Sequence, residues 1–211
     1  MERSEKLLSR EQSVLVVVDL QETLLRTIKV GEEIANNIIL LVKVAQALEV
    51  PTMYTTQNAG KLGGVIPELE TFVGDTPVID KLCFSCAGSD AFMKQLQSLS
   101  RTQVVLTGIE AHICIMQTAL DLVKAGYTVH TPFDAIASRH KRDWKYALLR
   151  LSHSSVIVSS VESVIYEWLQ EAGTEQFRSV LPLLKEREQK RNSREKEDAD
   201  TSSTSETDSS E

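Results

Sequence analysis

The chain has 211 residues, 42% hydrophobic and 25% charged, which is enough for one sizeable core and short for two. No stretch reaches the roughly 18 uninterrupted apolar residues of a membrane span, and the charged N-terminus MERSEKLLSR lacks the apolar centre of a signal peptide. A soluble cytoplasmic protein with no membrane partner is therefore expected. The net charge of −7 gathers at one end, since residues 186–211 hold nine acidic and five basic side chains. The rest, at −3, has no basic stripe with interleaved aromatics, which argues against nucleic acid as a partner.

In chain order, Val14 to Val18 is a β-branched run too short for a helix and suited to a parallel strand covered on both faces; it ends in Asp19. From Glu33 to Leu48, Ile34, Ile38, Leu41, Val42, Ala45 and Leu48 recur at helical spacing until Pro51 breaks the pattern. Thr52 to Thr56 reads as a second strand, followed by a loop with Gly60, Gly63, Gly64 and Pro67. A short strand at Pro77 to Asp80 and a helix at Ser89 to Leu99 come next. Gln103 to Thr107 reads as strand and Cys114 to Ala125 as helix, stopped by Gly126. Strand Thr128 to Phe133, helix Lys141 to Leu151, strand Ser155 to Val158 and helix Val161 to Leu169 follow. Such alternation predicts an α/β fold, a three-layer α/β/α sandwich with a mainly parallel, doubly wound sheet of about six strands.

An amphipathic stretch from Glu175 to Lys185 closes a domain placed at residues 13–185, after an N-terminal extension at 1–12. Beyond Glu186 no large apolar residue occurs, and residues 201–211 are Ser, Thr, Glu and Asp alone. Such a tail, 186–211, cannot offset chain entropy by burial and is expected to be disordered. Ser203 to Glu206 and Ser205 to Asp208 would suit an acidophilic kinase, although a solvated tail is the simpler reading.

Ligands of parallel sheets bind outside the carboxyl ends of the strands, where Asp19, Thr107 and Asp134 fall. Cys114 lies at a strand-to-helix junction, where a helix N-terminus would lower a thiol pKa and offer N–H groups to an oxyanion. Position alone allows a buried, inert cysteine equally well. Asp19 can accept a thiol proton or merely cap a turn. Lys81, beside the strand end Val78-Ile-Asp80, can balance thiolate and carboxylate charge, but an isolated lysine is usually a solvated surface charge. Cys83 and Cys86 form a CxxC with which His112, His130, His140 and His153 show no paired spacing, so zinc is not implied and incidental cysteines lead over a dithiol switch.

Three segments together, Val17-Val-Asp-Leu-Gln21, Asp80-Lys-Leu-Cys-Phe-Ser85 and Thr107-Gly-Ile-Glu-Ala-His-Ile-Cys-Ile-Met-Gln-Thr-Ala119, resemble the isochorismatase-like cysteine hydrolase superfamily, over roughly Gln12 to Lys185. Thr55-Thr-Gln57, Lys61-Leu-Gly63, Pro67-Glu-Leu69, Gly108-Ile-Glu-Ala111 and Gln176-Phe…Leu184-Lys-Glu186 resemble the subgroup of isochorismatase domain-containing proteins. The resemblance implies a catalytic triad of Asp19, Lys81 and Cys114, a cis peptide at Ile109–Glu110 and an oxyanion hole from the backbone N–H groups of Glu110 and Cys114. Gln21, Gln57, Phe84 and Asp134 are expected to be pocket neighbours.

Nicotinamidases of the superfamily hold a metal through aspartate and histidines after the second strand, but Thr55 to Glu68 contains neither, so no metal or cofactor is implied. Isochorismate-cleaving members lack the cysteine present here as Cys114. The implied function is metal-independent hydrolysis of a small-molecule amide or ureide C–N bond through a thioester on Cys114. The alternative is an inactive or weakly active binding protein with a regulatory acidic tail. A homo-oligomer is expected, as in other members.

Overall fold

Every strand of the central sheet is parallel to its neighbours, as continuous apolar strands linked by helices require. The computed structural model describes residues 3–205, with side-chain surroundings for 3–192. In chain order the elements are β1 (Ser13–Val18), α1 (Glu22–Leu25), α2 (Gly31–Ala47), β2 (Thr52–Gln57), α3 (Ala59–Leu62), α4 (Pro67–Val73), β3 (Val78–Lys81), α5 (Asp90–Ser98) and β4 (Gln103–Ile109). A π-helical turn (Ala111–Ile115) leads into α6 (Met116–Lys124), followed by β5 (Thr128–Pro132), β6 (Ile136–Ala137), α7 (Lys141–Ser152), β7 (Ile157–Ser159), α8 (Val161–Leu169) and α9 (Glu175–Ser205).

The sheet has seven strands in the order β3-β2-β1-β4-β5-β7, with β6 paired to β4 beyond the end of β5. The additional strand is the two-residue β6, too short for a period-2 pattern to reveal. Helices α5, α6 and α7 cover one face over Val14, Val16, Val18, Val104 and Leu106. The other face carries α2 and α8, and there the fully buried Trp168 of α8 donates from Nε1 to Ser13 Oγ at 2.9 Å. Strand order reverses direction at β1 and β4, so the crevice beyond their carboxyl ends is the place for ligands.

Local signals explain most boundaries. Helix α2 ends before Pro51 acts, because Glu49 adopts a left-handed conformation (φ 57°) and Val50 N–H closes a six-to-one bond to Ala45 O at 2.8 Å. Ser89 and Ser160 cap α5 and α8 by accepting from Phe92 N and Ser163 N.

The chain divides into two compact units, one ending at Gln170 and one beginning at Glu171. Where a disordered tail is expected from Glu186, helix α9 continues to Ser205, with Glu186 and Lys190 paired one turn apart at 2.7 Å. Residues 206–211 of that tail, including Glu206 and Asp208 of the two segments suited to an acidophilic kinase, lie outside the described residues.

Candidate active site

Asp19 follows β1 directly and takes a left-handed conformation (φ 53°) that aspartate tolerates better than most residues. Its own N–H stays in the sheet, donating to Thr55 O at 3.1 Å, and its side chain is fully buried. Two neighbouring strands hold the carboxylate. Thr55 Oγ1 of β2 donates to Oδ1 at 2.7 Å, and Lys81 Nζ of β3 donates to Oδ2 at 2.6 Å. The parallel register brings this about: Val18 pairs with Thr55, and Gln57 with Lys81.

Lys81 is as deeply buried as its partner, and Nζ also donates to Gln57 Oε1 at 2.8 Å. Burial, the largest single influence, would lower its pKa, but the charges of Asp19, Cys86 and Cys114 and the hydrogen bond to Asp19 together leave it raised, so the ammonium persists at neutral pH.

Cys114 lies inside the π-helical turn, 6% exposed and within electrostatic reach of Asp19 and Lys81. Its pKa departs from the expectation that a helix N-terminus would lower it. Burial first, then the charge of Asp19, pushes the thiol up to about 12, and Lys81 offsets this only in part. Desolvation defeats the helix dipole here because the sulfur sits one turn inside the helical segment. The resting nucleophile is a thiol, which needs a base to react.

Gly108 makes this meeting possible. It pairs with Val18 at φ 116°, and a Cβ there would lie 2.0 Å from Val18 O. Glycine alone lets β4 run this close to β1 just before Cys114. The Ile109–Glu110 peptide is cis, where the resemblance places it. The Glu110 carboxylate accepts from Arg139 N at 2.9 Å and Arg139 Nε at 3.2 Å.

The expected pocket neighbours divide. Gln57 belongs to the charged group itself, accepting from Lys81 while its Nε2 donates to Leu82 O at 2.9 Å. Gln21, fully buried, is a backbone clamp: Nε2 donates to Gly63 O at 2.7 Å, and Oε1 accepts from Gln57 N at 2.7 Å. Phe84 is 53% exposed on the segment after Lys81 rather than in the core. The Asp134 carboxylate accepts from Val161 N at 2.7 Å at the start of α8. Among the described residues no group of three or more His, Cys, Asp or Glu side chains is arranged to hold a metal.

The profile of the isochorismatase domain matches residues 13–163, which span β1, β2, β3 and the Cys114 junction. The chain belongs to the isochorismatase family. Isochorismatase domain-containing protein 2 of Homo sapiens is 38% identical over 175 residues, covering 82% of this chain and 83% of that one. The secreted isochorismatase effector Isc1 of Phytophthora sojae is 34% identical over 178 residues, covering 82% and 85%. Among solved structures, the MAR1 ribonuclease of Caenorhabditis elegans superposes with a TM-score of 0.79 at 31% identity, covering 83% of this chain and 91% of that one. The YcaC gene product of Escherichia coli, an octameric hydrolase of unknown specificity, reaches 0.79 at 19%, covering 91% and 99%, a likeness of fold alone. Among the described residues of this isochorismatase-family chain, no helix is long and apolar enough to cross a membrane.

Sequence reasoning passed over two residues at this centre. Thr55 is read only as part of the second strand and of a resembling segment, yet it lies beside the end of β1 once the two strands pair. Cys86, read as incidental, is fully buried with its Sγ 3.9 Å from Thr55 Oγ1 and its N–H donating to Thr118 Oγ1 at 2.9 Å. The signal for Thr55 is its position one strand over from Asp19; Cys86 had none, because its place depends on the turn after β3.

Proposed function

We propose that this chain is a metal-independent cysteine hydrolase that cleaves a C–N bond of a small amide or ureide through a thioester on Cys114. The observation that carries this reading is a buried carboxylate, Asp19, ion-paired with the Lys81 ammonium and set where its charge acts on the Cys114 thiol. A thiol held up to about 12 is a poor nucleophile unless its proton leaves as it attacks, and Asp19 is the carboxylate whose charge bears on it. Sulfur attacks the carbonyl carbon while the S–H proton passes to Asp19. The backbone N–H groups of Glu110 and Cys114 receive the oxyanion. Asp19 then returns the proton to the leaving nitrogen as the C–N bond breaks. Water, deprotonated by Asp19, hydrolyses the thioester to the carboxylic acid and regenerates the thiol. Lys81 stays charged throughout and keeps a carboxylate tenable in a dry site.

Phe84 would form an exposed apolar wall beside the entrance, and a homo-oligomer is proposed in keeping with the octameric YcaC. The near-balanced charge of the body supports a small substrate over RNA, whatever the ribonuclease name of the Caenorhabditis protein implies for that protein.

The test is incubation of the protein with a panel of small amides and ureides, with an RNA oligonucleotide as a separate arm, and mass analysis of the Cys114 peptide. An acyl adduct and turnover that falls at least about 1,000-fold in Cys114→Ala are expected. Turnover of any amide or ureide that survives Cys114→Ala, or RNA cleavage with no amide hydrolysis, would overturn the reading.

A further inference from the structure

Asp19 has two oxygens in unlike surroundings, and they do not share the work equally. Oδ2 lies 2.6 Å from Lys81 Nζ, an ammonium that has only donors to offer. A proton placed on Oδ2 would face N–H groups and displace the bond that Lys81 donates there, whereas a proton on Oδ1 leaves Oδ2 free to keep accepting it. Oδ1 lies 2.7 Å from Thr55 Oγ1, a hydroxyl that both donates and accepts. That hydroxyl also stands 3.9 Å from the Cys86 sulfur, in a fully buried row that Thr118 completes by accepting from Cys86 N.

We infer that Asp19 receives the Cys114 proton on Oδ1 and that Thr55 is the positioning residue that holds this oxygen toward the thiol and accommodates it in both protonation states. The inference deepens the hydrolase reading and rests on it. While Asp19 is ionised, the Thr55 O–H points at Oδ1. When the Cys114 S–H bond breaks, its electron pair forms the new C–S bond and its proton forms Oδ1–H. One rotation of the Thr55 hydroxyl then lets its oxygen accept from Oδ1–H, its own proton turning toward Cys86 Sγ. Thr55 loses no proton, and the reverse rotation accompanies transfer to the leaving nitrogen. Lys81 and its bonds to Oδ2 and Gln57 need not move. A fixed donor in place of Thr55 would oppose protonation of Oδ1, and an apolar residue would leave Oδ1 free to swing.

The test uses iodoacetamide, a small amide-bearing electrophile whose capture by Cys114 also requires loss of the thiol proton. Alkylation rates of Cys114 are read by peptide mass analysis, which separates it from Cys83 and Cys86, between pH 5 and 10. The proteins are the full chain and its Thr55→Ser, Thr55→Val, Thr55→Ala and Asp19→Asn variants, each shown folded by thermal melting. Expected are a fall of about tenfold near pH 7 in Thr55→Val, with an altered pH profile, rescue to within about threefold in Thr55→Ser, and a fall of about 100-fold in Asp19→Asn. Should Thr55→Val fail to fold, Thr55→Ala carries the same expectation. Thr55 variants that keep the parent rate and pH profile while Asp19→Asn is slow would overturn the role of Thr55 and leave the hydrolase reading standing. Asp19→Asn that reacts as fast as the parent would overturn both.

Discussion

At Asp19 a buried charge is made tolerable by two partners from neighbouring strands, Thr55 and Lys81, and they are not equally dispensable. Removing the ammonium by Lys81→Met strands a carboxylate in the core, which costs about 3–5 kcal/mol. Urea unfolding at pH 7 should show that loss, and the double variant Asp19→Asn, Lys81→Met should recover part of it, since no ion is then left unpaired. The three thiols separate by burial in the same way. Cys83 is partly exposed, whereas burial pushes the fully buried Cys86 up to about 11. Iodoacetamide at pH 8 should therefore label Cys83 first and reach Cys86 only in urea. Slow labelling of Cys114 in the resting protein is equally expected from a thiol held at about 12 and does not speak against catalysis.

At the scale of elements, β4 comes close to β1 at Gly108. Gly108→Ala would place a methyl group 2.0 Å from Val18 O at a φ of 116°, so the strands must part where they align Asp19 with the Cys114 turn. A destabilisation of about 3 kcal/mol or more, with loss of Cys114 alkylation, is expected in the same urea and labelling assays. Helix α8 offers a milder contrast. Its Ser160 cap is exposed and local, and Ser160→Ala should cost about 1 kcal/mol in urea unfolding without changing Cys114 reactivity. The pair of variants separates strand positioning from ordinary helix stability.

For the whole molecule, buried titratable groups set the pH range of stability. His130 is fully buried in β5, neither ring nitrogen has a partner among the described residues, and burial lowers its pKa to about 4. The unfolded chain takes up a proton near pH 6.5 that the folded chain refuses until about 4. Stability therefore falls as pH drops from 6.5 toward 4, by on the order of 3 kcal/mol from this residue. Urea midpoints at pH 5 and pH 7 should converge in His130→Leu relative to the parent. The thiols act at the other end with the opposite sense. Cys86 and Cys114 are raised from 9.0 to about 11 and 12, so their contribution is whole below pH 9 and is lost as pH rises through those values. Maximal stability is expected between about pH 6.5 and 9, above the isoelectric point near 5.2.

The order and kind of the elements were legible in the chain itself because β-branched runs and helical periodicity are local signals that repeat at each turn of the fold. Val14 to Val18, the α8 segment from Val161 to Leu169, and the three motif segments carrying Asp19, Lys81 and Cys114 needed no tertiary information to be singled out. Element length set the limit, since β6 spans two residues and α1 and α3 four each. What each side chain does was decided only by packing. Register between β1 and β2 put Thr55 on Asp19, a single turn after β3 put Cys86 behind Thr55, and the cap of α8 drew the Asp134 carboxylate to Val161 N. The Cys114 thiol was misread for the same reason: a helix dipole follows from local sequence, whereas desolvation depends on every segment folded over the sulfur.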